Sequence, residues 1–162
     1  MTAAPKMSFP EIVRMYQKPL YWYIRRVVLV HEDAEDILQE TFVKAYRHLW
    51  KLRNPDMLKS WLFKIATNEI RRYFRSRKGT VLMESIPDSE TVLQGDVSEG
   101  RVAGIISAAF LQMSPLQREV FSLKYYDGMD YDGISRITGS SKNTLMVSYH
   151  NARKIIEKEI DK

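Results

Sequence analysis

Lys64, Asn68, Arg71, Arg75 and Lys78 recur at steps of four, three, four and three. At about 100° per residue, that spacing predicts one face of a helix. Leu62, Phe63, Ala66, Ile70, Tyr73 and Phe74 fall on the opposite side, so the helix over Trp61–Lys78 packs by one face and offers cations from the other. Such a row suits a polyanion, nucleic acid in particular. A merely solvated face accounts for a charge run equally well. Two features favour a ligand: no acid interrupts the row, and an uncharged amide, Asn68, sits in its middle, able to read a base edge.

Other chemistries find little support. His31, His48 and His150 are scattered without metal-ligand spacing, and no phosphate-binding glycine loop or nucleophile–base pair is evident. The chain has no cysteine, which excludes disulfides, thiolate zinc sites and cysteine nucleophiles. Asp33, Asp36 and Glu40 crowd the start of one helix, where the positive end of the helix dipole suits solvated acids. No enzymatic activity, metal or cofactor is expected.

At 162 residues the chain can bury one core or two small helical ones. The formal charge is +5 and the pI near 9.4. Residues 1–78 carry 16 basic and 8 acidic side chains, net +8. Residues 79–100 carry no basic residue and five acids, Glu84, Asp88, Glu90, Asp96 and Glu99, net −5. Residues 101–162 carry 9 basic and 7 acidic side chains, net +2. This block pattern predicts two all-α domains, 1–78 and 101–162, joined by a flexible acidic linker over 79–100. No apolar run approaches the roughly 20 residues that span a bilayer. The N-terminus lacks a long apolar secretory segment, so no membrane insertion and a cytoplasmic location are expected.

The elements follow in order. Ser8-Phe9-Pro10-Glu11 starts a helix running to about Leu29, with Pro19 expected to kink or break it near residues 15–18. Its tyrosines and Trp22 suit packing, with base stacking as the alternative. A second helix begins near Glu32 or Asp33, and its buried stripe is Ala34, Ile37, Leu38, Phe42, Ala45, Tyr46 and Leu49. A loop over Lys51–Lys59 precedes the basic helix, for which Ser60 is the expected cap. Val102–Met113 reads as a short helix with Val102, Ile105, Ile106, Ala109 and Phe110 inside. Ser114-Pro115-Leu116-Gln117 is a capping box with proline at the first helical position, opening a helix that continues to Tyr126. Asp130 caps Tyr131–Thr138, Gly139-Ser140-Ser141 turns the chain, and Lys142–Glu159 forms the last helix. A short helix, a tight glycine turn and a longer helix make a helix-turn-helix.

Both halves together resemble the extracytoplasmic-function (ECF, group 4) RNA polymerase sigma factors. The runs DAEDILQETFVKAY and SWLFKIATN resemble region 2 of that family, and the stretch from Met113–Phe121 through NARKIIEK resembles region 4. The resemblance implies a non-enzymatic promoter-recognition factor that joins core RNA polymerase, docking on the coiled coil and flap of the core. It implies polymerase contacts by Asp36, Gln39 and Glu40, flanked by Glu35, Phe42 and Tyr46. The loop, with Arg53 and Asn54, and the helix, with Trp61, Lys64, Asn68, Arg71, Arg72 and Arg75, would take the minus-ten element as it melts. Asn68 matches the asparagine that helps capture a flipped base. Lys142, Asn143, Thr144, Val147, Ser148, Asn151 and Arg153 would face the minus-thirty-five element. Met146, Ser148 and Asn151 stand where relatives often have arginine, so the promoter sequence does not transfer. Asp130-Tyr131-Asp132-Gly133 likewise departs from the usual serine-aromatic-glutamate start. An anti-sigma factor is the further partner the resemblance implies.

Two other readings compete. A helix-turn-helix repressor or activator with a ligand-sensing N-terminal half explains residues 130–159 but leaves the acidic and basic helices without a role. An enzyme with a carboxylate site among Asp33, Asp36 and Glu40 conflicts with their expected exposure on a helix surface.

Overall fold

The computed structural model describes residues 7–76 and 100–162. Among these the regular structure is helical throughout, with no strand. Residues 79–99 of the expected acidic linker lie outside the described residues, as does Lys78, while Gly100 already opens a helix.

Helix α1 spans Phe9–Val28, α2 His31–His48 and α3 Leu58–Ser76. The Ser8 hydroxyl accepts the Glu11 amide, which fixes the start of α1. Pro19 does not break the helix: α1 continues through it to Val28. The apolar residues around it, Ile12, Leu20, Tyr23, Ile24 and Val27, are fully or almost fully buried, and their packing outweighs one lost backbone bond. The helix ends at Leu29, which takes a left-handed conformation (φ 68°) and donates its amide to the Arg25 carbonyl.

The loop before α3 is more ordered than its turn signals suggest. Asn54 caps a short 3-10 turn, Pro55–Met57, by accepting the Asp56 amide at 3.0 Å. That turn passes directly into α3, so the helix starts at Leu58 and Ser60 lies inside it rather than capping it. Leu62, Phe63, Ala66 and Ile70 are fully buried. Burial of each large side chain among them stabilises the fold by about 1.5–3 kcal/mol. The Tyr23 hydroxyl meets Thr67 Oγ1 at 2.7 Å inside this core, tying α1 to α3.

The C-terminal half holds α4 (Gly100–Gln112), α5 (Pro115–Phe121), α6 (Tyr131–Thr138) and α7 (Lys142–Ile160). The capping box at Ser114 forms in both directions: its hydroxyl accepts the Gln117 amide, and the Gln117 side chain accepts the Ser114 amide. Asp130 and Ser141 cap α6 and α7 in one direction only, their side chains accepting the amides of Gly133 and Thr144. Residues 122–126 continue α5 as a π-helical turn, closed by an Asp127 amide to Ser122 carbonyl bond of 3.1 Å. Two residues expected inside stand outside: Val102 is 47% exposed and Tyr46 is 68% exposed. Tyr46 is touched on one edge by Phe9 of α1 and otherwise left open.

The two helical units share one apolar cluster. Val120, Leu123, Ile134, Ile137 and Leu145 of the second unit join Tyr23, Leu62, Phe63 and Ile70 of the first. Helix α3 packs along α6, and α1 packs along α5. A second cluster, built on Ala109, Phe110, Met113, Phe121 and Ala152, fixes α4 against α5 and α7.

Candidate nucleic-acid interface

On α3, Lys64, Asn68, Arg72 and Arg75 are exposed along one side, while the opposite side is closed by the core. Trp61 is half-buried against that core. Arg53 and Asn54 are exposed in the preceding loop, although Asn54 Oδ1 is committed to its cap. Arg71 differs from its neighbours. Its Nη1 donates to the Thr138 carbonyl at 2.6 Å and its Nη2 reaches Glu119 Oε1 at 3.2 Å, both in the other helical unit. The cations of this face are therefore brought together, and one of them is already engaged.

Helix α2 presents Glu35, Asp36, Gln39 and Glu40 to solvent. Tyr46 is exposed beside Phe42, and both rings meet Phe9 edge-on. Glu35 is also paired with His31. Two polar contacts lock α2 to α3. The Tyr73 hydroxyl donates to Asp33 Oδ2 at 2.7 Å, and the Lys44 ammonium pairs with Glu69, which is only 6% exposed. A surface of acids and a surface of cations are thus held at fixed mutual orientation.

The helix-turn-helix is formed by α6 and α7 around Gly139, whose φ of 79° is the left-handed conformation that glycine adopts without strain. Lys142, Asn143, Thr144, Val147, Asn151 and Arg153 are exposed along α7, with Ser148 half-buried. The Lys142 ammonium pairs with Asp132 at 2.9 Å, which draws the Asp132 carboxyl below its ordinary range. Exposed Met146 and Val147 leave this surface less charged than the α3 face.

Sequence reasoning missed a set of buried charges between the two units. Arg26, 1% exposed, lies 3.7 Å from the centre of the Tyr126 ring and donates to Ser122 Oγ at 3.3 Å. Arg118 donates to the Val27 carbonyl at 2.9 Å and to the Phe110 carbonyl at 2.9 Å. Lys59 donates to the Asp127 carbonyl at 3.3 Å. Burial pushes the Asp127 carboxyl up to about 6, against the pull of Arg26 and Lys59. No local signal marks these residues, because their partners across the two units are remote in the chain.

Among the described residues no helix is long and apolar enough to cross a membrane, and no cluster of histidine and acidic side chains has metal-site geometry.

The comparisons with known proteins agree with this geometry. Residues 12–80 match the family model of sigma-70 region 2, and residues 103–156 match that of sigma-70 region 4. The RNA polymerase sigma-H factor of Pseudomonas aeruginosa is 25% identical over 172 residues, covering 96% of this chain and 87% of that protein. The ECF RNA polymerase sigma factor SigM of Bacillus subtilis is 26% identical over 150 residues, covering 91% of each. A similar fold occurs in the sigma factor RpoE solved with the anti-sigma factor NepR from Bartonella quintana. There the TM-score is 0.75 at 21% identity, over 94% of this chain and 96% of that one. With both sigma-70 regions matched in order, and relatives matched over nearly its whole length, this chain belongs to the ECF RNA polymerase sigma factors.

Proposed function

We propose that residues 1–78 dock on core RNA polymerase and capture the minus-ten element, that residues 101–162 read the minus-thirty-five element, and that 79–100 connects them. In this reading Asp36, Gln39 and Glu40, flanked by Glu35, Phe42 and Tyr46, form the polymerase-docking face. Lys64, Arg71, Arg72 and Arg75 hold phosphates of the melted strand, Asn68 takes a flipped base, and Trp61, Arg53 and Asn54 border the seat. Lys142, Asn143, Thr144, Val147, Ser148, Asn151 and Arg153 enter the major groove. The protein works in the cytoplasm, where polymerase and promoter are, and an anti-sigma factor controls it, as the complex of the similar RpoE with NepR suggests.

The observation that carries this reading is the exposed row Lys64, Asn68, Arg72 and Arg75 over a closed apolar face. Extruding a base costs a few kcal/mol of unstacking, so a preformed pocket edge and nearby cations must offset it. A good base-edge contact is worth about 1–3 kcal/mol. Asn68→Ala is therefore expected to lower the melted-promoter fraction about tenfold at limiting holoenzyme, measured by permanganate reactivity, with core-polymerase affinity unchanged. Unchanged melting, or an equal loss of core binding, overturns the assignment.

A further inference from the structure

An exposed ring at the entrance to the loop of Arg53 and Asn54 has no task in the reading above. Trp22 and Trp61 are half-buried, whereas Trp50 is 67% exposed. It sits in a 3-10 turn, Leu49–Lys51, that joins α2 to this loop. His48 takes φ −114° and ψ 9°, so the turn leaves the helical register that puts Tyr46 on the docking face. Leu52 and Leu58 are buried at either side of the loop and tie it to the core. Trp50 is therefore held on an anchored stretch, three residues from Arg53 and at most about 11 Å from it along the chain.

The surroundings of the ring select its partner. The Lys51 ammonium lies 5.4 Å from the ring centre. From Arg47 to Arg53 every charged residue is a cation, and Arg47, Lys51 and Arg53 are all exposed. Glu40, the last acid of the proposed docking face, lies eight residues before the end of α2, about 12 Å along its axis. The charge around Trp50 thus has the sign that suits phosphates and is opposite to that of the docking face. An aromatic face beside a cation matches a single-stranded nucleotide, with the base on the ring and the phosphate on the ammonium. The Asn54 side-chain oxygen cannot hold that base, since it accepts the Asp56 amide at 3.0 Å.

We propose that Trp50 is a stacking platform for one unpaired base of the melted strand, with Lys51 on the adjoining phosphate. The proposal rests on the minus-ten reading of this loop and adds a second hold on the strand, separate from Asn68. Every base has a π face, so stacking on Trp50 stabilises the melted state without narrowing the promoter sequence. An amide such as that of Asn68 instead discriminates between base edges.

The test uses reconstituted holoenzyme and a forked fragment of a promoter that it melts, single-stranded through the minus-ten element. 2-Aminopurine replaces each unpaired base in turn. With the parent protein, the position seated on the ring stays dark while its neighbours brighten. Trp50→Leu is expected to brighten that position and lower fork affinity about tenfold, leaving the dependence of affinity on salt unchanged. Trp50→Phe should recover most of both effects, and Lys51→Ala should reduce the salt slope by about 0.7. Core-polymerase affinity should stay the same in all three variants. Unchanged fork affinity and fluorescence in Trp50→Leu overturn the platform, as does a loss that Trp50→Phe fails to recover. An equal loss of core binding also overturns it and assigns the ring to the polymerase. Asn68→Ala separates this outcome from the minus-ten reading. If Asn68→Ala loses melting while Trp50→Leu does not, the platform alone falls; if neither loses melting, the reading falls with it.

Discussion

Replacing Lys44 by methionine isolates the contact that fixes α2 against α3. Glu69 is 6% exposed and Lys44 33%, so the pair straddles the edge of the core. Methionine keeps most of the lysine stem's apolar contact and removes only the ammonium. Breaking a buried pair typically costs about 3–5 kcal/mol, because the remaining charge keeps its desolvation penalty. Lys44 is one-third exposed, so water reaches the site and the expected cost falls to about 2–3 kcal/mol. For a chain of this size that corresponds to a fall in Tm of about 4–12 °C. The double variant Lys44→Met/Glu69→Leu should recover most of the loss, since neither charge is then stranded. Thermal melts followed by circular dichroism, with the four chains forming a cycle, measure both values. A single variant within 0.5 kcal/mol of the parent, or a double variant as unstable as the single, refutes the reasoning.

Two further outcomes follow from the contact between the two units and from the turn. The Asp127 carboxyl is raised to about 6 in the folded chain, above its unfolded value, so the folded state binds more protons between the two values. Stability should fall as pH rises from about 4 to about 6 and stay low above that, by at most about 3 kcal/mol; subtracting the melting curves of Asp127→Asn from those of the parent isolates this contribution. Gly139→Ala places a Cβ at a φ of 79° in open space, so only backbone strain is added. The expected loss is about 1–2 kcal/mol, read as a Tm lower by about 2–8 °C.

Local features were legible in the sequence because their partners lie within a turn. Ser8, Ser114 and Asp130 act as caps through amides three residues on. The period of α3 correctly divides Leu62, Phe63 and Ile70 from Lys64, Asn68 and Arg75. The start of α3 was misplaced because the Pro55 turn runs straight into the helix, a join that looks like loop in composition. Tyr46 and Val102 were placed inside because periodicity gives a direction and not the width of the neighbour. Arg26, Arg118, Glu119 and Asp127 carried no signal at all: their partners sit 48 or more residues away or are backbone carbonyls. Arg71 could be read as a nucleic-acid cation, whereas its present partners could only be seen once the two units were placed together.

The π turn at Ser122–Tyr126 sets a phase. Its hydrogen bond spans five residues instead of four, so one residue is accommodated in the turn beyond what an α-helix would hold. Closing the same five residues as an α-helix, with none deleted, would rotate everything downstream by about 100° and advance it by about 1.5 Å. Asp127 would swing away from Arg26 and Lys59, and α6 would no longer lie along α3. The one extra residue held in the wide turn thus works as an angular gauge between the two helical units. Substitutions that keep the wide turn change only the strength of the contact between the two units, whereas a switch of the turn to the α pattern changes which faces meet.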